Sequence, residues 1–229
     1  MRKNTRCFLA IVAIGLALIT PIRMAFADSE SFTQLSAEWW QWALSIPTSV
    51  NPMLDTTGQN GVVGQRGSIR FLAGTFGGGT VTRICAVPEG KALFFPVINQ
   101  INFNTPGVCG QSQENLTVKD MRAASAAFVK GATNLSVTVD GIPIKNLRRI
   151  KSEVFEVALP EDNVFDGLCG GPGTLPTNVY SPAVDEGFYV LLDPLDIGKH
   201  ALHFHAENSS QGVIRDVTYN LTVVPVLEK

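Results

Sequence analysis

The chain has 229 residues, 45% of them apolar and 17% charged, with 21 glycines and 13 prolines. That is a globular profile, and it excludes disordered, collagen-like and low-complexity proteins. The formal charge of -2 becomes -6 when residues 1–27 are set aside, because 18 basic residues fall to 14 while all 20 acidic ones remain. The only basic run is Arg148, Arg149 and Lys151. It is too short to neutralise a row of phosphates, so nucleic acid is excluded as a partner.

Arg2, Lys3 and Arg6 precede an apolar run from Cys7 to Thr20, and the segment closes on Ala25-Phe26-Ala27. This charged, apolar, small-residue order predicts a secretory signal peptide over 1–27, with the mature chain starting at Asp28. The run is shorter than the roughly 20 residues needed to cross a bilayer, so no membrane span is expected after cleavage. A periplasmic or secreted location follows, and with it an oxidising environment for Cys85, Cys109 and Cys169. Cys109 and Cys169 stand in Gly-rich loops that can satisfy disulfide geometry, whereas Cys85 sits in an apolar strand pattern. A Cys109–Cys169 bridge and an unpaired Cys85 are the expectation.

Residues 28–50 read as a helical segment. Ser31 and Gln34 form a capping pattern, and Phe32, Leu35, Trp39, Trp42 and Ile46 recur at helical spacing until Pro47. Trp39, Trp40 and Trp42 are all the tryptophans of the chain. A stripe holding Trp39 and Trp42 reads as an anchor on a core rather than as a sugar-stacking platform.

Residues 51–229 read as one β-rich domain. Alternation appears at Ile69, Phe71 and Ala73, at Leu135, Val137 and Val139, and at Phe188, Val190 and Leu192. It returns at Leu202, Phe204 and Ala206 and at Val217, Tyr219, Leu221 and Val223. Lys91–Ile98 is a nearly continuous apolar run, as suits a strand covered on both faces. Asp140-Gly141 predicts a hairpin turn. A second helix is predicted from Thr117 to Gly131, capping an open end of the strands. Short strands separated by turn residues predict a mostly β fold, an antiparallel sandwich of immunoglobulin-like or jelly-roll type with two helices.

Few residues suggest chemistry. Gly74-Thr75-Phe76-Gly77-Gly78-Gly79 has neither the lysine nor the helix start of a phosphate loop, and reads as a glycine-rich hairpin. Neither a Gly-x-Ser-x-Gly elbow nor a His-Glu-x-x-His helix is present. The exception is His200, His203 and His205, the only histidines, with Glu207 two residues further on. His203, His205 and Glu207 must share one strand face. Two imidazoles and a carboxylate on one face are the beginnings of a Zn or Cu site, with His200 as a further candidate ligand. The competing reading is a polar outer face opposite Leu202 and Phe204.

Several segments together resemble an uncharacterised family of exported bacterial proteins. They are Trp39-Trp40-Gln41-Trp42, Asn51-Pro52 with Asp55 and Thr57-Gly58, Phe71-Leu72-Ala73-Gly74, Cys85-Ala86-Val87-Pro88-Glu89-Gly90-Lys91, Phe95-Pro96-Val97-Ile98-Asn99 and Gly198-Lys199-His200. The resemblance implies a cysteine after the Thr-Gly pair as a partner for Cys85, where this chain has Asn60 and Gly61. It implies no activity or cofactor. The last 35 or so residues are similar to the closing strands of immunoglobulin-like modules, which bears on fold and not on function.

The resulting expectation is an exported, non-catalytic binding or structural module without a cofactor, its ligand an extracytoplasmic carbohydrate or protein. The alternative is a metal-dependent enzyme using the His203/His205 face.

Overall fold

The computed structural model describes residues 31–226; the expected cleavage site lies outside them. Helix α1 spans Phe32–Leu44, and Ser31 caps it by accepting the Gln34 N–H. Strands β1 (Ile69–Phe71), β2 (Gly79–Pro88) and β3 (Ala92–Phe103) follow, then helix α2 (Val118–Lys130). Next come β4 (Thr133–Val139), β5 (Ile142–Pro143), β6 (Arg148–Lys151), β7 (Phe155–Leu159) and the one-turn helix α3 (Asp166–Cys169). The chain ends with β8 (Asn178–Leu192), β9 (Gly198–Asn208) and β10 (Val213–Val224).

The strands form two five-stranded sheets. The first runs β1-β3-β8-β6 with β7 also on β8, and the second runs β2-β10-β9-β4-β5. Most pairs are antiparallel, as expected. Two pairs depart from that expectation: β1 runs parallel to β3, and β2 parallel to β10, so both sheets are mixed. The reason is local. Glu89-Gly90-Lys91 joins β2 to β3 as a tight turn, yet β2 and β3 enter different sheets, so β2 aligns with the last strand instead of its neighbour.

The first sheet is the middle layer of three. Its inner face meets the second sheet through Phe95, Val97, Ile98 and Val190 against Phe204, Val217 and Leu221. Its outer face carries Phe94, Ile101 and Tyr189 under Trp39, Trp40 and Leu44 of α1. This double cover explains why β3 is apolar without alternation, each side chain having a core to enter. The second sheet is covered on one face only, and β9 and β10 alternate accordingly.

Helix α2 begins with a full capping box between Thr117 and Asp120 and buries Met121, Ser125 and Val129. It lies beside β3 and β8, where Asn102 Nδ2 donates to Ser125 Oγ at 2.7 Å. The predicted Asp140-Gly141 turn is present, with both residues at positive φ (53° and 78°), the values a two-residue hairpin of the right twist requires. At the other end of α1, Asn51 Nδ2 donates to the carbonyls of Ala43 and Ile46 at 2.8 Å, satisfying groups that a helix end leaves unpaired.

Cys109 and Cys169 are joined in a disulfide, their Cα atoms 4.4 Å apart, and Cys85 is free and buried. Burial pushes the Cys85 thiol up, against the opposing pull of Arg70 and Arg83. A Cβ at Gly61 would stand 3.6 Å from Cys85 Cβ, close to the usual spacing of about 3.8 Å across a disulfide. Gly61→Cys is therefore expected to form a bridge with Cys85 under oxidising conditions. Closing that loop should stabilise the chain by about 3 kcal/mol. Peptide mapping without reductant checks the bridge, and a denaturant melt checks the gain.

Candidate functional site

The histidines do not act as one group. His203, His205 and Glu207 share the outer face of the second sheet, as alternation requires, and the register places Asp216 of β10 directly opposite His205. Asp216 Oδ1 lies 2.9 Å from His203 Nε2, and its Oδ2 lies 3.6 Å from His205 Nδ1. His205 Nε2 pairs with Glu207 Oε1 at 3.0 Å, and this bond is the main cause holding the Glu207 carboxyl below the usual range. His200 departs from the expected set. It falls on the opposite side of β9, at the strand's start, where its Nδ1 is 2.7 Å from Asp140 Oδ2 and its Nε2 is 2.9 Å from the Asp196 carbonyl. The Asp140 bond leads the causes that raise His200, while the Ala201 N–H leads those that lower Asp140.

Among the described residues, no group of three or more His, Cys, Asp or Glu is arranged to hold a metal ion. The imidazoles of His203 and His205 are already hydrogen-bonded to carboxylates on a half-exposed surface. Replacing both by alanine is expected to change stability by no more than about 1 kcal/mol, the range of exposed pairs. Thermal melts with and without Zn or Cu check this. A metal-dependent rise in the parent that the double variant lacks would support the metal reading instead.

The three tryptophans are structural, and the structure extends the expectation made for Trp39 and Trp42 to Trp40. Trp39, Trp40 and Trp42 are 2%, 5% and 7% exposed, and each indole N–H has a partner. Trp39 donates to the Leu72 carbonyl, Trp42 to the Val63 carbonyl, and Trp40 to Asp185 Oδ1 at 2.7 Å. Asp185 opens a buried relay that crosses the middle layer. Tyr189 Oη donates to Asp185 Oδ2 at 2.8 Å, Asn99 Nδ2 to Tyr189 Oη at 3.1 Å, and Arg215 Nη1 to Asn99 Oδ1 at 3.2 Å. Gly187 makes room for the relay, since a Cβ there would come within 2.5 Å of Asn99 Cβ. Burial pushes the Asp185 carboxyl up to about 8 against the lowering effect of Trp40, Tyr189 and Ser36, and it lowers Arg215 to about 10.

A cleft of about 530 Å³ runs beside α1, within the usual range of about 300–1,000 Å³ for ligand sites. Trp42 and Phe71 form its apolar part, and Glu38, Gln41, Arg66 and Ser68 supply polar groups. Sequence reasoning missed Arg66 and Ser68, because nothing in a Gly-rich loop announces that it folds beside a helix. The loop is held there by its own contacts: Gln65 Nε2 donates to the Phe71 carbonyl and Gln65 Oε1 accepts the Phe71 N–H. A second concavity of about 320 Å³, at the β4–β5 turn, is walled mainly by Val139, Ile142, Ile144 and Leu195 and offers few polar groups.

Comparison with known proteins adds no family: no family model matches the chain, and no curated protein or solved structure is significantly similar to it. The disulfide is in place, and no helix among the described residues is long and apolar enough to cross a membrane.

Proposed function

We propose that the protein is an exported binding module on an immunoglobulin-like sandwich, and that its ligand site is the cleft between α1 and the loop that carries Arg66. The fold part of this reading is supported by strand order. Lettered along the chain, β1-β3-β8-β6 corresponds to A-B-E-D and β10-β9-β4-β5 to G-F-C-C′, with β2 added beside the last strand. The Cys109–Cys169 bridge supports export, since disulfides persist in oxidising compartments.

The observation that carries the site is the pairing of an aromatic floor with hydrogen-bonding groups of several kinds. The half-buried Phe71 is the ring that offers apolar surface, Trp42 being only 7% exposed and held in the core; Glu38 accepts, Arg66 donates and Gln41 does both. A saccharide has this dual character, with C–H faces to rest on rings and hydroxyls for the polar rim. Arg66→Ala is expected to weaken saccharide binding about tenfold or more, the scale of one hydrogen bond to a charged group, without lowering the melting temperature. Titration of the protein with neutral, amino and acidic oligosaccharides, followed by tryptophan fluorescence, checks this. Failure of all three classes to bind, or binding indifferent to Arg66→Ala, would count against the cleft.

A further inference from the structure

Ten lysines and arginines of the described residues are exposed or half-buried, and seven of them lie between Lys119 and Lys151. Three others, Arg70, Arg83 and Arg215, are inside the protein. A chain that is acidic without its leader therefore concentrates its surface positive charge on one stretch, in which Asp120 and Asp140 are the only acids.

The fold brings that stretch together. Arg122 Nη2 of α2 donates to the Ser152 carbonyl at 2.8 Å, and Arg149 Nη2 of β6 donates to the Ala126 carbonyl at 3.4 Å, so the flank of α2 lies against β6. Lys119, Arg122, Ala126 and Lys130 are spaced by three, four and four residues, which makes them one stripe of the helix. Arg122 and Ala126 touch the β6 side, and Lys119 and Lys130 extend that stripe to about 16 Å at 1.5 Å per residue. Lys151 points to the same side as Arg149, two residues before it on the strand. Arg149 is paired with the buried Glu186, whereas Lys119, Arg122, Lys130 and Lys151 have no carboxylate partner among the described residues. Charge on an edge strand such as β6 discourages strand addition by other chains. That accounts for Arg149 and Lys151 and not for the lysines of α2.

We infer that the α2–β6 face docks on the headgroups of an anionic bilayer, held by charge without insertion. The cations are spread over a helix flank and a strand edge, an area suited to a plane of phosphates rather than to a single polymer strand, which calls for a groove. Alanine, not a large apolar residue, stands between them in the stripe, so the contact is electrostatic and weakens as salt rises. This face is separate from the α1 cleft, and the inference does not depend on that site.

The test uses protein recovered from an exporting host, with its N-terminus read by mass spectrometry. It is sedimented with vesicles of 30% phosphatidylglycerol in phosphatidylcholine, or of phosphatidylcholine alone, at low and high salt. Two double variants are compared: Lys119→Ala/Lys130→Ala on the face, and Lys91→Ala/Lys199→Ala elsewhere with the same loss of charge. Binding to the anionic vesicles is expected at low salt, with the face variant weakened roughly 30-fold for two surface cations and the control close to the parent. Melting temperatures verify that both variants are folded. No preference for anionic vesicles would overturn the inference, as would equal losses in the two variants. Tighter binding to soluble heparin than to the vesicles would overturn the bilayer as the partner.

Discussion

Truncating Trp39 to alanine is expected to cost about 3–5 kcal/mol, the range for losing a buried aromatic ring together with the cavity it leaves. Trp39 is among the largest fully buried side chains and lies edge-on to Trp40 and Trp42, at centroid distances of 4.9 and 6.0 Å. Its removal empties the contact between α1 and the outer face of the middle sheet, and it strips the Leu72 carbonyl of its donor. For a domain of about 200 residues the midpoint should fall by roughly 6–20 °C. Trp39→Phe keeps most of the apolar area and loses the indole N–H, so it should retain most of the stability. Thermal melts of the two variants distinguish the contributions, and an unchanged midpoint for Trp39→Ala would mean that α1 is not docked as described.

Stability is expected to fall as pH rises from about 4 to about 8, on account of Asp185. Burial keeps the carboxyl protonated in the folded protein up to about 8, whereas the unfolded chain releases the proton near 3.8. Between these values unfolding releases a proton, so raising the pH favours the unfolded state. The contribution is complete below the unfolded value and is lost as pH passes through the folded one. Its full size is on the order of 5 kcal/mol, at 1.36 kcal/mol for each pH unit. Asp185→Asn cannot ionise and should remove this slope while leaving the Trp40 N–H an oxygen to bond. Urea midpoints measured from pH 4 to pH 9 supply the comparison. The prediction fails if parent and variant show the same pH profile, or if the parent gains stability between pH 5 and pH 8.

Elements with a local cause were legible in the sequence. The capping residues at Ser31 and Thr117, the Asp140-Gly141 turn and the alternation of β9 and β10 depend on neighbours a few positions away, and each appears where its pattern stands. The Cys109–Cys169 bridge was legible by elimination, because the apolar pattern around Cys85 removes the third candidate. Contacts set by long-range register were not. Asp216 faces His205 only because β9 and β10 pair at that offset, and the same pairing determines which carboxylate each imidazole meets. Trp40 falls outside the helical stripe of Trp39 and Trp42, yet it is buried because the carboxyl of Asp185, distant in sequence, rises to meet it. The basic face escaped notice for the same reason, its members being divided between a helix and a strand that only the fold places side by side.

The pairing of β2 with β10 has a consequence for when the protein folds. Thr82 is aligned with Thr218, and β2 stands at the margin of its sheet with no other strand to join. Its ladder cannot close until residue 224 has been synthesised. The first sheet and the β9–β4 ladder can form before then, but the second sheet cannot be complete, and contacts so distant in sequence form slowly. A chain whose second sheet is finished last leaves the ribosome without its complete structure, which suits the export proposed above.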